Sequence, residues 1–196
     1  DPAMMIQPDM QIILASASPR RRDMLQEAGL QFDIIPAHID ESFIKGETPL
    51  EHVRRLALEK GEVLAKEYPQ ALIIAADTIV VHHGHILGKP QNREEAFSML
   101  KSLSDNVHEV ITAFALISGV RDIRIIRHEK TKVRFRQLGD SDIHEYIASG
   151  SPMDKAGAYG IQDTDFDPVK DIRGCFHNVV GFLLSSFMEV SNELFS

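Results

Sequence analysis

The chain has 196 residues, of which 43% are hydrophobic and 26% are charged, and its formal net charge is −8 at pH 7. This composition is typical of a globular protein with a sizeable core, and the negative charge excludes a general binder of nucleic acid or of anionic membranes, because both need a basic face. No apolar run approaches the ~18 residues of a membrane span. The single cysteine, Cys175, excludes an internal disulfide and fits a cytoplasmic protein. We expect residues 1–4 to be a remnant of cloning and residues 5–196 to form one domain.

The N-terminal pattern predicts a strand over 11–16 that leads into a helix over 19–28. Ser18 is a favourable N-cap, Pro19 suits the first helical position, and Gly29 ends the helix. Free backbone N–H groups, hydroxyls and guanidinium groups at such a turn attract phosphate oxygens. The residues concerned are Ser16, Ser18, Arg20, Arg21 and Arg22. A capped surface helix with a solvated basic turn gives the same pattern, so both interpretations stay open here.

Two adjacent carboxylates, Asp40 and Glu41, follow a second predicted strand over 32–36. Such a pair is typical either of a turn or of a site that handles metal ions and water. A strong helix start comes next, with an N-cap, a first-position proline and an acidic third position in Thr48-Pro49-Leu50-Glu51. The spacing does not decide whether the basic side chains of this helix are solvated or face a pocket; they include Arg54, Arg55, Lys60 and Lys66.

The most apolar run covers 71–81 and predicts a central strand buried on both faces. Asp77 interrupts it, and a carboxylate in such a strand is costly unless it is paired or metal-bound. Because Asp77 and Thr78 lie inside the run, a functional role is favoured over a cap at a strand end. His82-His83-Gly84-His85 predicts a hairpin turn, whose histidines are more typical of a solvated turn than of a metal site. Lys89, held between glycine and proline, suits either a phosphate contact or a solvated turn.

The second half of the chain alternates helices and strands. Asn92 caps a helix, a hairpin at 119–122 joins strands over 108–118 and 123–138, and Asp140 or Ser141 caps a further helix that ends at 149–150. A small, polar, glycine-rich segment then covers 151–162, where Tyr159 is placed to stack on a base and Gln162 to bond its edge, unless the segment is an ordinary connection. A closing amphipathic helix is expected over 179–194.

The motifs together, in this order, resemble the Maf family of nucleoside triphosphate pyrophosphatases over nearly the whole chain. The matching pieces are Ser16-Ala17-Ser18-Pro19-Arg20-Arg21, Asp40-Glu41, Arg55-Leu56-Ala57 with Lys60, Ala76-Asp77-Thr78, Gly88-Lys89-Pro90, His108-Glu109-Val110-Ile111-Thr112, and Asp154-Lys155-Ala156-Gly157-Ala158-Tyr159-Gly160-Ile161-Gln162. The last piece is similar to the branch that acts on dTTP and UTP. The chain departs from the family in Gly181-Phe182-Leu183-Leu184, which lacks the usual proline, and in an acidic segment over 162–174.

The resemblance implies an α/β fold: an elongated mixed β-sheet in two lobes with flanking helices and a central cleft, as in inosine triphosphate pyrophosphatases. It implies hydrolysis of the α–β phosphoanhydride, with Asp77 as proton acceptor and a divalent cation, Mg²⁺ or Mn²⁺, near Glu41 and Asp77. Arg20, Thr78 and Gln162 match positions tied to substrate choice. Arg21, Lys60, Lys89 and Lys155 match phosphate-binding positions.

The resemblance also implies a nucleoside triphosphate as partner and raises a homodimer as an expectation. Two alternative functions stay open from the sequence. The first is a regulatory binding protein that restrains septum formation, and the second is a pyrophosphatase for another, non-canonical nucleotide.

Overall fold

The computed structural model describes residues 10–16, 19–27, 29–160 and 166–173, with the backbone alone for 19–21 and 24. Four helices lie in this part of the chain: α1 Pro19–Glu27, α2 Pro49–Glu67, α3 Arg93–Leu103 and α4 Asp140–Ala148. The strands are β1 Ile12–Leu14, β2 Asp33–Ile34, β3 Leu72–His82, β4 His85–Leu87, β5 Val107–Ser118, β6 Ile123–Phe135 and β7 Val169–Arg173. None of the described helices combines the length and the apolarity needed to cross a membrane.

The strands form one seven-stranded sheet in the order β2-β1-β3-β5-β6-β7, with β4 paired to β3. β1 runs parallel to both β2 and β3, whereas β4 is antiparallel to β3 and β7 is antiparallel to β6. The sheet is therefore mixed, and the predicted α/β class is confirmed. Within the described part, residues up to Asp77 and Thr112–Glu129 form one compact unit, which we call unit 1, and Thr78–Ile111 with the residues from Lys130 onward form unit 2. The predicted cleft stays a prediction.

In unit 1, β3 is buried on both faces, as its apolar run predicts. Successive side chains of a strand point to opposite faces. Accordingly, Leu72 and Ile74 pack in one apolar cluster together with Leu25 of α1, whereas Ile73 and Ala75 pack in another together with Leu64 of α2. α1 and α2 thus cover opposite faces of the part of β3 that lies in unit 1.

The core of unit 2 joins α3, α4 and the strand residues beneath them. Its members include Leu100 and Leu103 of α3, Ile143 and Tyr146 of α4, and Phe135 of β6, all of them buried. The glycine-rich segment contributes to the same core through two short 3₁₀ turns, Ser151–Asp154 and Ala156–Ala158.

Most predicted boundaries hold to within a few residues, and the hairpin turn at 82–85 is confirmed, with His82 opposite His85. One expectation is wrong, and one strand was not predicted. The N-cap of α4 is Gly139, and the carboxylate of Asp140 bonds Lys101 instead of its own helix. The five-residue strand β7 was not predicted, because Pro168 and the charged residues of this segment are not typical of a strand. The helix expected over 179–194 and the motif at 181–184 lie outside the described residues.

Candidate active site

Three predicted site residues of unit 1 meet around one ammonium group. Lys60 Nζ donates to Asp77 Oδ1 at 3.1 Å and lies 2.9 Å from Glu41 Oε1. The side chains of Lys60 and Asp77 are only 15% and 16% exposed, whereas that of Glu41 is 54% exposed. The lysine therefore balances the charge of a largely buried carboxylate and links it to a carboxylate at the surface.

Close packing of α2 against the sheet lets the lysine reach the strand. Next to Lys60, Gly61 is so near β5 that a Cβ there would lie 2.7 Å from Ile117 Cδ1 and 3.5 Å from the Cβ of Ala75. A larger residue would hold the helix further out. The helix itself starts as predicted, because Thr48 accepts a hydrogen bond from the Glu51 N–H at 3.1 Å.

The loop that carries Glu41 is held by an arginine–carboxylate contact. Arg55 grips both oxygens of Glu47, with Nε to Oε2 at 2.6 Å and Nη2 to Oε1 at 3.0 Å. The same Nη2 donates to the backbone carbonyl of Ser42 at 3.0 Å. His52 completes the group, with Nδ1 2.9 Å from Glu47 Oε1. We call Glu47, His52 and Arg55 the clamp.

The charges of the clamp shift the titration of its own members. The Arg55 guanidinium lowers the pKa of Glu47 from its ordinary 4.5 to about 2, and Glu47 in turn raises the pKa of Arg55. Further along the loop, the hydroxyl and the N–H of Ser42 both donate to Asp40 and lower the pKa of that carboxyl. The carboxylates of Asp40 and Glu47 therefore stay ionised at neutral pH, and Glu41 lies between Asp40 and Ser42, which bond each other.

In unit 2 the predicted phosphate-binding segments meet at the backbone. The N–H of Gly157 donates to the carbonyl of Gly88 at 3.1 Å, which ties the Lys89 segment to the glycine-rich segment. Lys89 itself is exposed. Lys155 folds back on its own turn, donating to the carbonyl of Ser151 at 2.6 Å and to its hydroxyl at 2.9 Å.

Tyr159 lies elsewhere than expected. Its side chain is 5% exposed, its ring packs edge-on against Phe135 and His108, and its hydroxyl lies 2.5 Å from His108 Nε2. Such a ring has no free face on which a base could stack. Burial lowers the pKa of His108 to about 4, so this histidine is neutral at pH 7 and pairs with the tyrosine as an uncharged partner. Tyr159 therefore anchors the glycine-rich segment to the core.

The remaining predicted residues divide between the two units and the undescribed part. Ser16 is buried just beyond β1 in unit 1, and Thr78 is half-buried in unit 2, directly after Asp77. Ser18, Gln162 and the side chains of Arg20 and Arg21 lie outside the described part, so their roles stay predictions. The clamp was missed: its glutamate and histidine show no signal beyond ordinary helix-start chemistry.

Glu41 and Asp77 fit a hard divalent cation by chemistry. Mg²⁺ is usually held by one or two carboxylates, with water and substrate phosphates completing its shell. Both carboxylates here already contact one cationic group. Across the described residues, no group of three or more histidine, cysteine or acidic side chains could hold a metal ion. The donor set therefore suits a cation that keeps several waters and leaves room for a phosphate ligand better than a closed protein cage.

Comparison with known proteins shows to which family the chain belongs. The chain is 47% identical over 172 residues to a dTTP/UTP pyrophosphatase of Syntrophomonas wolfei, which covers 88% of this chain and 91% of the relative. It is 45% identical to the dTTP/UTP pyrophosphatase of Geotalea uraniireducens, with 97% and 98% covered. Among solved structures, a HAM1 protein from Coxiella burnetii is similar at 18% identity and a TM-score of 0.49, covering 94% of this chain and 99% of that one. The model of the Maf-like protein family matches residues 11–194, and the chain belongs to that family.

Proposed function

We propose that this protein is a nucleoside triphosphate pyrophosphatase that hydrolyses the α–β phosphoanhydride of dTTP and UTP to the monophosphate and pyrophosphate. One observation carries the proposal: Asp77, in a buried strand, shares the ammonium of Lys60 with Glu41. A carboxylate inside an apolar strand is costly even when it is paired, which favours a chemical role for Asp77 over a merely structural one. The names of the relatives at 45–47% identity supply the reaction class and the nucleotides.

In the proposed reaction, water attacks the α-phosphorus, the bond to the bridging oxygen breaks, and pyrophosphate leaves. Asp77 accepts the proton of the attacking water. Lys60 orients Asp77 before the proton moves, through the contact at 3.1 Å. Glu41 and Asp77 would hold a divalent cation, Mg²⁺ or Mn²⁺, which would neutralise phosphate charge and make the attacking water more acidic.

The other positions complete the proposal. Lys89 and Lys155 contact phosphate oxygens, together with Arg21, and the exposed position of Lys89 supports this role. Lys155 has to leave its contacts with Ser151 to do so. Arg20, Thr78 and Gln162 select the pyrimidine.

Release of pyrophosphate from a panel of nucleotides tests the function. The panel holds dTTP, UTP, GTP, ATP and modified uridine triphosphates, each assayed with Mg²⁺ and with Mn²⁺. We expect the highest kcat/KM for dTTP and UTP. A protein that binds nucleotides without turnover would instead support the regulatory alternative, and equal kcat/KM across the panel would contradict the pyrimidine preference.

Asp77→Asn tests the assigned base. We expect a loss of ~10²-fold or more in kcat, the scale for a positioned general base. Asp122→Asn is the matched control, because Asp122 lies in a surface turn at φ 53°, a conformation that asparagine adopts as readily. Undiminished turnover by folded Asp77→Asn protein would remove the role.

A further inference from the structure

The backbone of the loop that carries Glu41 is held by hydrogen bonds to the two residues that flank Glu41. On one side Asp40 accepts hydrogen bonds from both the N–H and the hydroxyl of Ser42. On the other side Arg55 holds the Ser42 carbonyl at 3.0 Å. The backbone around Glu41 is therefore set by neighbours, although the Glu41 side chain itself is mostly exposed.

The clamp is built for rigidity. The side chains of Glu47 and His52 are 9% and 4% exposed, and both oxygens of Glu47 are bonded by Arg55. Phe43 of the same loop stacks on the His52 ring at 4.4 Å between ring centroids. A bidentate arginine–carboxylate pair fixes direction as well as distance.

We propose that the clamp, through Arg55, positions Glu41 as a ligand for the divalent cation. Arg55 and Glu47 do not touch the substrate; they are positioning residues, and the inference rests on the proposed function for the identity of the site. Partners that orient a metal ligand through hydrogen bonds change metal affinity by roughly 10–100-fold when they are removed. Arg55 acts on the backbone beside the ligand, so we expect the lower end of that range.

The test is a titration of Mn²⁺ without nucleotide, followed by the EPR signal of the free ion, which needs no turnover. Arg55→Lys keeps the charge but loses the two-pronged grip, and Glu47→Gln keeps the shape but loses the charge. We expect each to raise the Mn²⁺ dissociation constant by about tenfold. In a Glu41→Gln background, the further change should be less than about twofold, because the positioned ligand is already gone.

Two controls separate positioning from general damage. Glu59→Gln removes the other carboxylate that Arg55 contacts, at 3.2 Å, without touching the loop. Arg54→Lys changes the neighbouring arginine, which contacts His128 instead. Both should leave the Mn²⁺ dissociation constant unchanged. A purely structural clamp would lower Tm in Arg55→Lys and Glu47→Gln while the folded protein kept its affinity for Mn²⁺.

If both clamp variants unfold at the assay temperature, Asp40→Ala replaces them, with Asp40→Asn as the control that keeps the accepting oxygen. Asp40 lies on an exposed loop. Weaker Mn²⁺ binding by the alanine variant than by the asparagine variant supports the inference.

The inference is overturned if the clamp variants fold and bind Mn²⁺ as the wild type does, or if the wild type binds no Mn²⁺. It is also overturned if the clamp variants weaken Mn²⁺ binding as much in the Glu41→Gln background as in the wild type. A wild type that binds Mn²⁺ but hydrolyses no nucleotide would contradict the proposed function without contradicting the proposed positioning of Glu41.

Discussion

Replacing Gly157 by alanine should destabilise the protein severely, for two separate reasons. The backbone at Gly157 has φ +70°, in the left-handed region that L side chains rarely adopt. A Cβ there would also lie 2.9 Å from Val80 Cγ2 and 3.1 Å from the Cβ and the Cγ1 of that residue. Val80 is buried and β-branched, so it has no alternative rotamer into which it can retreat at low cost.

The magnitude follows from the two contributions. A left-handed conformation costs an alanine about 1–2 kcal/mol. Forcing an extra methyl group into a packed core costs about 1–3 kcal/mol. The free energy of unfolding of Gly157→Ala should therefore fall by about 2–5 kcal/mol. At about 2–4 °C of Tm per kcal/mol for a chain of this size, Tm should drop by roughly 4–20 °C.

Other glycines of the chain separate the two contributions. Gly84 and Gly150 have φ +76° and +79°, but a Cβ at either would meet nothing within 4 Å, so their alanine variants should lose only the conformational part, about 1–2 kcal/mol. Gly61 has a crowded neighbour but helical backbone. Because the crowding atom is the mobile end of Ile117 and alanine favours helix, Gly61→Ala should change stability less than Gly157→Ala.

Thermal unfolding by circular dichroism measures all four variants, and urea unfolding gives the free energies. Val80→Ala in the Gly157→Ala background tests the clash directly, because the second change makes room for the new methyl group. The double variant should lose less stability than the two single losses together. A Gly157→Ala variant no less stable than Gly84→Ala would refute the claim that Val80 crowds this position.

Three further predictions concern the helix start, the buried histidine and the site lysine. Thr48→Ala removes the side-chain cap of α2 and should cost about 1 kcal/mol in urea unfolding. Because the pKa of His108 is lowered to about 4, its burial contributes fully to the free energy of unfolding above pH 6.5, and this contribution is lost as the pH falls to about 4. The free energy of unfolding of the wild type should therefore fall by up to about 3 kcal/mol over this range, and that of His108→Gln by less. Urea unfolding at pH 7 and pH 4.5 measures both. Lys60→Gln leaves Glu41 and Asp77 without their shared ammonium, so it should lower the free energy of unfolding by about 1–3 kcal/mol. The same variant should bind Mn²⁺ more tightly in the EPR titration, whereas the clamp variants should bind it more weakly.

Sequence patterns located the elements whose signals are local. Thr48, Pro49 and Glu51 lie within one turn, and the predicted cap and helix start are confirmed. The apolar run of β3 predicted a strand with two buried faces, and the cost of a carboxylate inside it singled out Asp77. These predictions needed no knowledge of what packs against the residues.

The features that were missed depend on partners distant along the chain or on burial. Arg55 was left open between solvent and a pocket, because spacing along a helix does not show that a loop residue, Glu47, folds back onto it. Tyr159 was expected to face a ligand, because a glycine-rich segment has no hydrophobic period that would predict a core position. Only the fold brings it against His108 and Phe135.

The charge balance of the site explains why a divalent cation belongs in the proposal. Glu41 and Asp77 carry two negative charges and share the one ammonium of Lys60, so this group alone has an excess of negative charge and repels a polyphosphate. The chain as a whole, at −8, adds to the repulsion. The proposed Mg²⁺ or Mn²⁺ would reverse the local sign, and the same carboxylates that repel the substrate would then help to hold it. The low pKa of Glu47 means that the clamp is ionised at neutral pH, the condition under which the proposed positioning of Glu41 would operate.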